Sequence, residues 1–375
     1  MGWTKKSDVA QYKKANWKNF IKKEPDCPPP KAKRIALQNP EISFFFYCRD
    51  NLILEGPVYE NHGPFNKGDA IFFSGEPWYG DAPQCDSYQK EGMSIAYVSP
   101  NSSEQFLESA CYLLDNGSPA IDVVCIFAGN LVLNKRPYLK AHNDPSAKNP
   151  FNANIMEILS NGSVQKLQKK GITVLLTILG GHHKGGWSNF KTESAAADFA
   201  TYLKTEVVDK YGLDGIDIDD EYSNPNLRIP NSLVTVTTKM KELMPDKIIS
   251  KALFRDTEYF KPKYKGKTLA DTLTYGWEMS YGISPEYRLP KYVKLGMVKH
   301  KLSLGFVANR PSRNPVQDVK WLKKNGYEGI MIYNFFNPQN TKLMGKLVNT
   351  LYGPGNWNKE PEGSSLKEKV HQNQK

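Results

Sequence analysis

The feature that most constrains the fold of this chain is a regular alternation of apolar runs and helical patterns from residue 92 onward. Eight apolar runs typical of buried strands lie at 93–98, 121–128, 172–179, 213–220, 247–254, 272–278, 301–307 and 328–333. Helical patterns separate several of them, at 103–115, 152–170, 193–211, 230–244 and 314–325. Because alternating strands and helices pair in parallel through crossovers, eight strands within about 260 residues predict an α/β fold, a (β/α)8 TIM barrel over residues 92–352. A doubly wound open sheet would also alternate, but rarely with eight units. The weak helical signal at 255–271 predicts an irregular barrel around strands 5–6.

Three flanking segments differ from this repeat. Residues 1–40 are rich in lysine and contain Pro28-Pro29-Pro30, which together predict a basic, flexible arm with an extended connector. Residues 41–91 carry apolar strand patterns at 42–47 and 70–73 and predict a small β-rich extension whose role cannot be read. Residues 353–375 predict a polar tail.

Charge and composition limit the function classes. The chain carries a net charge of +11, but part of this excess lies in the lysine-rich residues 1–40, and neither zinc-finger spacing nor an aromatic RNA-binding signature accompanies it. We therefore expect no nucleic-acid partner. No apolar run approaches the roughly 18–20 residues of a transmembrane helix. Five cysteines without a C-x-x-C pair argue against a disulfide framework or zinc site, and leave open a single Cys48–Cys85 bridge.

The most informative segment for function is an acidic run at 213–222, on the predicted fourth barrel strand. Because side chains alternate along a strand, Asp217, Asp219 and Glu221 share one face, and Ile216 and Ile218 share the other. In a barrel the isoleucines pack outward and the acids point into the interior. Crowded, buried carboxyls raise the pKa of at least one of them, as a general acid requires. Solvated loops and calcium sites are also acid-rich, but isoleucines fit a loop poorly and EF-hand spacing is absent.

The spacing of these acids also predicts a mechanism. Asp219 and Glu221 stand two residues apart, with backbones roughly 6.7 Å apart, and approach a sugar from the same side. Ordinary glycosidases place two carboxylates on opposite sides of the scissile bond, whereas a same-strand pair suits attack by the substrate's own 2-acetamido oxygen. We predict Glu221 as the acid/base, Asp219 as the group that orients the acetamido, and Asp217 as a residue that tunes Asp219 through a shared proton or hydrogen bond.

The order Asp214-x-x-Asp217-x-Asp219-x-Glu221 resembles the active-site strand of family 18 glycoside hydrolases. The run 213–222, with its Asp-Asp-Glu-Tyr ending, is more similar to the endo-β-N-acetylglucosaminidases of the endoglycosidase H type, which cut the chitobiose core of N-glycans. Further similar segments lie at 126–130, 174–180, 244–250, 275–282 and 333–334, so the resemblance covers residues 92–352. It implies a retaining, substrate-assisted enzyme without metal or cofactor. It also implies secretion, although the N-terminus shows no apolar signal-peptide core.

Two departures from related patterns bear on specificity. Chitinases of this family tend to carry Ser-x-Gly-Gly on strand three and tryptophan on strand eight. This chain has Thr177-x-Leu179-Gly180, and Tyr333-Asn334 ends strand eight, which favours the endoglycosidase. Glu278 stands where the endoglycosidases would have asparagine.

Candidate substrate contacts are polar and aromatic residues near predicted strand ends: Asn130, Trp187, Tyr222, Tyr275, Trp277, Tyr281, Tyr333 and Asn334. Trp187 follows a glycine-rich run predicted to form the rim, where it either stacks on a sugar or belongs to a plain rim loop without glycan contact. Trp277 is predicted to form the floor under N-acetylglucosamine, with an aromatic that fills the barrel as the alternative. Tyr281 or Tyr333 is predicted to donate a hydrogen bond to the acetamido oxygen.

Two further features can also be explained without a functional role. Asn130 serves equally well as a turn-capping residue. The adjacent His182 and His183 lack an acidic or cysteine partner at ligand spacing, so we predict no metal and no cofactor.

These observations predict a monomeric endo-β-N-acetylglucosaminidase that acts on an N-glycan or another N-acetylglucosamine-containing oligosaccharide. The alternatives are a chitinase and a non-catalytic glycan-binding protein on the same barrel. The intact Glu221 argues against the binding protein, since loss of that acid is the simplest route to an inactive lectin. Preference among N-glycan classes is not readable from this chain.

Overall fold

A computed structural model describes residues 3–10, 17, 19–52, 61–77, 80–133, 137–141, 149–180, 185–221, 223–353 and 357–359. The strands are β1 (Trp3–Ala10), β2 (Phe20–Glu24), β3 (Phe44–Cys48), β4 (Ala70–Phe73), β5 (Gly80–Lys90), β6 (Met93–Val98), β7 (Tyr112–Leu113), β8 (Val123–Val132), β9 (Tyr138–Ala141), β10 (Thr173–Leu179), β11 (Gly215–Asp219), β12 (Ile248–Leu253), β13 (Tyr275–Glu278), β14 (Leu302–Phe306), β15 (Gly329–Ile332) and β16 (Asn358–Lys359). The α-helices are α1 (Pro29–Gln38), α2 (Ser103–Leu107), α3 (Ala153–Ser160), α4 (Ser163–Lys169), α5 (Glu193–Tyr202), α6 (Ser232–Leu243), α7 (Leu269–Thr272), α8 (Leu289–Val293), α9 (Pro315–Asn325) and α10 (Pro338–Tyr352).

Eight parallel strands close into a barrel, which confirms the predicted (β/α)8 fold. Their order is β6-β8-β10-β11-β12-β13-β14-β15, and β15 pairs with β6. The predicted irregularity is also present, because a 3-10 turn at Thr257–Phe260 and the four-residue α7 form the connection between β12 and β13. Within the described part of the chain, no helix is long and apolar enough to cross a membrane.

Alternation along the barrel strands divides the apolar residues between two cores. Ile216 and Ile218 of β11 pack outward with the helices, as their positions predict. Met93 and Ile95 of β6 and Tyr275 of β13 belong to a second cluster inside the barrel. Asp217 and Asp219 alternate with the isoleucines, so they lie on the interior side of β11.

The prediction of a flexible arm at residues 1–40 and a separate β-rich segment at 41–91 is wrong. The two segments supply five strands to one sheet, in the order β1-β5-β3-β4-β2, so the arm joins the predicted β-rich extension in one unit. The proline run does not form an extended connector: α1 begins at Pro29. Proline suits the first turn of a helix because its φ is already helical and its missing N–H would have no partner there.

Helix α1 closes the lower end of the barrel. Ala32, Ala36 and Leu37 pack in the same cluster as the barrel interior and one face of the N-terminal sheet. The Tyr275 hydroxyl donates to the Leu37 carbonyl oxygen at 2.9 Å, and Arg34 forms an ion pair with Asp214 just before β11. The N-terminal unit therefore supplies the plug that the interior of the barrel requires at this end.

Two cysteines of the N-terminal sheet face each other. Cys48 on β3 pairs with Cys85 on β5, and their sulfur atoms lie 3.7 Å apart. Both are free thiols in this structure, so the bridge that the sequence left open is not formed.

Candidate active site

A cavity of about 440 Å³ opens at the carboxyl ends of the barrel strands. That volume lies within the range of about 300–1,000 Å³ common for ligand sites. Its lining residues are Tyr97, Phe127, Leu179, Asp219, Glu221, Ala252, Met279, Tyr281, Val307, Asn309, Arg310, Met331 and Tyr333. Two predicted catalytic carboxyls, Asp219 and Glu221, therefore lie on one wall of one cavity.

The third predicted acid, Asp217, is fully buried beneath the cavity and accepts four hydrogen bonds. Its Oδ1 accepts from the Ser250 hydroxyl at 2.6 Å and the Trp277 indole at 2.9 Å. Its Oδ2 accepts from the Tyr97 hydroxyl at 2.5 Å and the Thr177 hydroxyl at 3.0 Å. Burial raises the pKa of Asp217, and these donors oppose that rise. All four of these hydrogen bonds come from residues other than Asp219, and the charge of Asp217 raises the pKa of Asp219.

Asp219 has the strongly perturbed environment expected of a functional carboxyl. Its side chain is 4% exposed, and its Oδ1 has no hydrogen-bond partner among the described residues. Burial raises the pKa of Asp219 well above its ordinary value, and the charges of Glu221 and Asp217 raise it further. A buried acceptor without a partner at a cavity wall is suited to receive a donor from a ligand. Glu221 lies just beyond β11, half-buried at the same wall.

Four aromatic rings form an arc around the cavity. Tyr97 lies 6.4 Å from Phe127, Phe127 lies 6.0 Å from Tyr333, and Tyr333 lies 6.1 Å from Tyr281, between ring centroids. Burial raises the pKa of Tyr281 well above its ordinary value, with a further rise from the Asp219 charge, so its hydroxyl keeps its proton and can donate. Both tyrosines predicted from the sequence as donors, Tyr281 and Tyr333, therefore line the cavity.

The two predicted aromatic residues of β13 lie below the cavity. Trp277 is fully buried, stacks on Tyr275 at 5.5 Å and donates to Asp217, so it acts beneath the acid and does not form the floor. Tyr275 lies deeper and reaches the Leu37 carbonyl. The alternative of inward aromatics that fill the barrel is the one the structure shows, and Met279 takes the lining position.

Other predicted contacts lie elsewhere. Trp187 is wrong as a rim residue: it is fully buried, its indole donates to the Ile178 carbonyl at 3.0 Å, and its ring packs edge-on against Phe199. Asn130 is buried within β8 and does not line the cavity. Asn334 has a left-handed backbone (φ 48°) and lines a smaller neighbouring cavity of about 90 Å³. Tyr222 lies outside the described residues.

Two glycines before Trp187, Gly180 and Gly186, leave room for the side chains of Asp220 and Ser223, which lie on either side of Glu221 in the sequence. A Cβ on Gly180 would lie 2.5 Å from Asp220 Oδ1, and a Cβ on Gly186 would lie 1.7 Å from Ser223 Oγ. Asp220 Oδ1 accepts from the Trp187 backbone N–H at 3.0 Å and from the Ser223 hydroxyl. The sequence predicts close backbone approach here, and the groups that approach these glycines are the side chains of Asp220 and Ser223.

Several lining residues were missed by sequence reasoning. Tyr97 follows Met93 and Ile95 at alternate positions of β6, so its inward direction was readable from that pattern. Phe127, Asn309 and Arg310 carry no such signal, because they come together only when the barrel closes.

In the described ranges, no group of three or more histidine, cysteine, aspartate or glutamate side chains is arranged to hold a metal ion. His182 and His183 lie outside those ranges.

The chain is similar to known endo-beta-N-acetylglucosaminidases in sequence. The model of the endo-beta-N-acetylglucosaminidase EndoS TIM-barrel domain matches residues 140–295. An endo-beta-N-acetylglucosaminidase of Flavobacterium sp. (strain SK1022) is 32% identical over 274 residues, covering 69% of this chain and 80% of that protein. Endo-beta-N-acetylglucosaminidase F1 of Elizabethkingia meningoseptica is 30% identical over 234 residues, covering 59% of this chain and 65% of that protein. The crystal structure of Bacteroides thetaiotamicron EndoBT-3987 with Man9GlcNAc2Asn shares the fold, with a TM-score of 0.57 and 19% identity over 78% of this chain and 79% of that one.

The barrel and its acidic fourth strand define a glycoside hydrolase of family 18. The chain belongs to the endo-β-N-acetylglucosaminidases of that family, which confirms the resemblance found in its sequence.

Proposed function

We propose that this enzyme hydrolyses the chitobiose core of N-linked glycans with retention, by a substrate-assisted mechanism. The observation that carries the proposal is the placement of Asp219 and Glu221 on one wall of the cavity, where they are the acids among its described lining residues. Two carboxyls from one strand suit a substrate-assisted route better than a covalent glycosyl-enzyme or an inverting route, which needs a pair that flanks the scissile bond.

In this mechanism Glu221 donates its proton to the glycosidic oxygen as the bond from that oxygen to C1 breaks. The acetamido carbonyl oxygen of the same sugar bonds to C1 and gives a cyclic oxazolinium ion. Glu221, now a carboxylate, takes a proton from the water that attacks C1 and reopens the ring. One water is consumed, Glu221 regains its proton, and the configuration at C1 is retained because C1 is inverted twice.

Asp219 supports the acetamido group in this scheme. Its Oδ1, which has no hydrogen-bond partner among the described residues, accepts the acetamido N–H and turns the carbonyl oxygen toward C1. Burial and the neighbouring acids disfavour the Asp219 carboxylate, and the positive charge that develops on the acetamido group favours it. Either Tyr281 or Tyr333, which both line the same cavity, donates a hydrogen bond to the acetamido oxygen.

Two findings support an N-glycan substrate over chitin. The two curated relatives above are endo-β-N-acetylglucosaminidases, and a protein of the same fold was crystallised with Man9GlcNAc2Asn. The sequence departures at Thr177 and Tyr333 from the chitinase pattern agree with this choice.

Mass spectrometry of a high-mannose glycoprotein incubated with the wild-type enzyme tests the proposal. We expect a single N-acetylglucosamine to remain on the asparagine of the glycoprotein. Glu221→Gln should abolish this cleavage. Glu286→Gln, which removes an exposed carboxyl after β13, should not. Proton NMR of the first released glycan should show the β-anomer. Cleavage of chitin oligomers without cleavage of the glycoprotein would favour the chitinase, and retention of an uncut glycoprotein would favour the binding protein.

A further inference from the structure

A buried lysine lies behind the wall that carries the catalytic carboxyls. Lys251 on β12 is 2% exposed. Its neighbour Ser250 points inward to Asp217, and its other neighbour Ala252 lines the cavity. Alternation therefore directs Lys251 outward, on the side where Ile218 of the adjacent strand also lies. Burial of an ammonium group on this apolar side is costly unless it has charged partners.

The partners of Lys251 are acids. Its Nζ forms an ion pair with Asp256 and donates to the Ala252 carbonyl oxygen at 2.7 Å. Asp256 also accepts from the Tyr292 hydroxyl at 3.0 Å. Burial raises the pKa of Asp219 and of Asp220, which lie on and directly after β11, and the Lys251 charge opposes both rises.

Asp220 connects this cation with Glu221. Its Oδ1 holds the Trp187 backbone N–H and the Ser223 hydroxyl, and Asp220 and Ser223 bracket Glu221 in sequence. Burial and the charges of Glu221, Asp217 and Asp220 raise the pKa of Asp219, and the ammonium of Lys251 opposes that rise. Lys251 therefore supplies the positive charge that opposes the repulsion within this acidic group.

We propose that Lys251 is a positioning residue whose buried charge keeps Asp219 and Asp220 in the arrangement that catalysis by Glu221 needs. The inference rests on the proposed function. The titratable and charged groups that face this region are Asp217, Asp219, Asp220 and Glu221 on and after β11, Asp256 after β12, Glu278 on β13, Arg288 and Tyr292 at α8, and Tyr97, Tyr281 and Tyr333 around the cavity.

The test compares Lys251→Met with Lys90→Met in the full chain. Lys90 is a matched control, because it is also nearly buried and forms an ion pair with Glu328 at 3.0 Å, at the amino-terminal end of the barrel strands. Both variants lose one ammonium group from a buried ion pair. Lys251→Arg keeps the charge and serves as the conservative variant.

The first readout is the pH profile of kcat/KM for hydrolysis of Man9GlcNAc2Asn. Removal of a buried positive charge favours the protonated form of every neighbouring carboxyl, so both limbs of the profile should move to higher pH in Lys251→Met, by about one unit. On the acid limb this is about a tenfold lower kcat/KM. Lys90→Met should keep the wild-type limbs, and Lys251→Arg should largely restore them. A Lys251→Met profile with unmoved limbs, whatever its height, would overturn the inference.

A second readout does not depend on activity. If the wild type cuts no glycan, the proposed function fails, but the thermal midpoint still reports the charge of Lys251. Asp256→Asn is compared with Lys251→Met/Asp256→Asn, so that Asp256 adds no titration to either. Since the remaining carboxyls hold their protons more tightly without Lys251, the double variant should lose Tm more steeply from pH 4 to pH 8. Parallel curves would contradict the proposal.

Discussion

Replacement of Ser250 by alanine measures how strongly the anchored acid beneath the cavity depends on its donors. The Ser250 hydroxyl is fully buried and donates to Asp217 Oδ1 at 2.6 Å, a distance typical of a charge-assisted hydrogen bond. Such a bond to a charged acceptor contributes about 1.5–3 kcal/mol, against about 0.5–1.5 kcal/mol for a neutral pair. We expect Ser250→Ala to lower the free energy of unfolding by about 1.5–3 kcal/mol at pH 8.

The pH dependence of this loss identifies its cause. Burial raises the pKa of Asp217, so the ionised form that the hydroxyl stabilises is present above that pKa and is lost as the pH falls through it. The cost of Ser250→Ala should therefore shrink toward about 0.5–1.5 kcal/mol at pH 4, where a neutral pair remains. Urea unfolding of the variant and the wild type at both pH values gives the difference.

Ser303 on β14 provides the matched control. It is also a fully buried serine on a barrel strand, but its hydroxyl has no hydrogen-bond partner among the described residues. Ser303→Ala should be neutral or slightly stabilising, because it removes an unsatisfied polar group. If Ser250→Ala lowers the free energy of unfolding no more than Ser303→Ala does, or by the same amount at pH 4 and pH 8, the hypothesis that Asp217 is ionised and anchored by Ser250 is refuted.

Two further predictions follow from the same wall of the cavity. Asp219→Asn should stabilise the fold above about pH 4, where the carboxyl of the unfolded chain ionises. The gain should grow as the pH rises toward the raised pKa of Asp219 in the folded protein. Thermal unfolding at pH 4, 6 and 8 measures the gain, and a gain that does not change with pH would contradict the prediction. Gly186→Ala should lower kcat/KM about tenfold or more, since its Cβ would clash with Ser223 and displace it and the nearby Glu221. The double variant Gly186→Ala/Ser223→Gly should have a kcat/KM much closer to that of Ser223→Gly alone. If it does not, the clash with Ser223 is not the cause of the loss.

The barrel and its acids could be predicted because both depend on short-range patterns. For each of the eight barrel strands, the observed start or the observed end lies within two residues of the predicted one. The isoleucines of β11 pack outward and the acids between them lie inward, as alternation requires. Those inferences need strand period and position, which one sequence supplies.

The substrate-contact predictions failed where a residue has more than one way to be satisfied. A tryptophan after a glycine-rich run suits a sugar platform, but Trp187 instead finds the Ile178 carbonyl and the Phe199 ring in the core. Trp277 shares the predicted face with Met279 and lies one layer deeper, where Asp217 accepts its indole N–H. Depth within a barrel depends on how far each strand is shifted against its neighbours, and that stagger is not encoded in any local pattern.

The prediction of a flexible arm from the lysine-rich first 40 residues is wrong, because charged residues there lie in strands and a helix. Lysines can lie in a folded strand or helix while their stems cover apolar surface. Lys33 of α1 is largely buried, and its ammonium reaches the Ser118 hydroxyl at 3.2 Å. Burial lowers the pKa of Lys33 to about 8. The apolar positions of the same helix, Ala32, Ala36 and Leu37, were the better signal, since they recur at helical spacing.

The plug formed by α1 makes a prediction that separates stability from catalysis. Leu37 is fully buried between the barrel interior and the N-terminal sheet, so Leu37→Ala should lower the free energy of unfolding by about 2–5 kcal/mol, through lost transfer energy and the cavity left behind. Lys31→Ala, an exposed change on the same helix, should cost little and serves as the control. The cavity that holds Asp219 and Glu221 lies at the opposite end of the strands, so kcat of the folded Leu37→Ala enzyme at 25 °C should stay within about twofold of wild type. A kcat that falls in proportion to the stability lost would show that the lower layer of the barrel, through Tyr275 and Trp277, sets the position of Asp217. The plug would then belong to the catalytic apparatus as well as to the core.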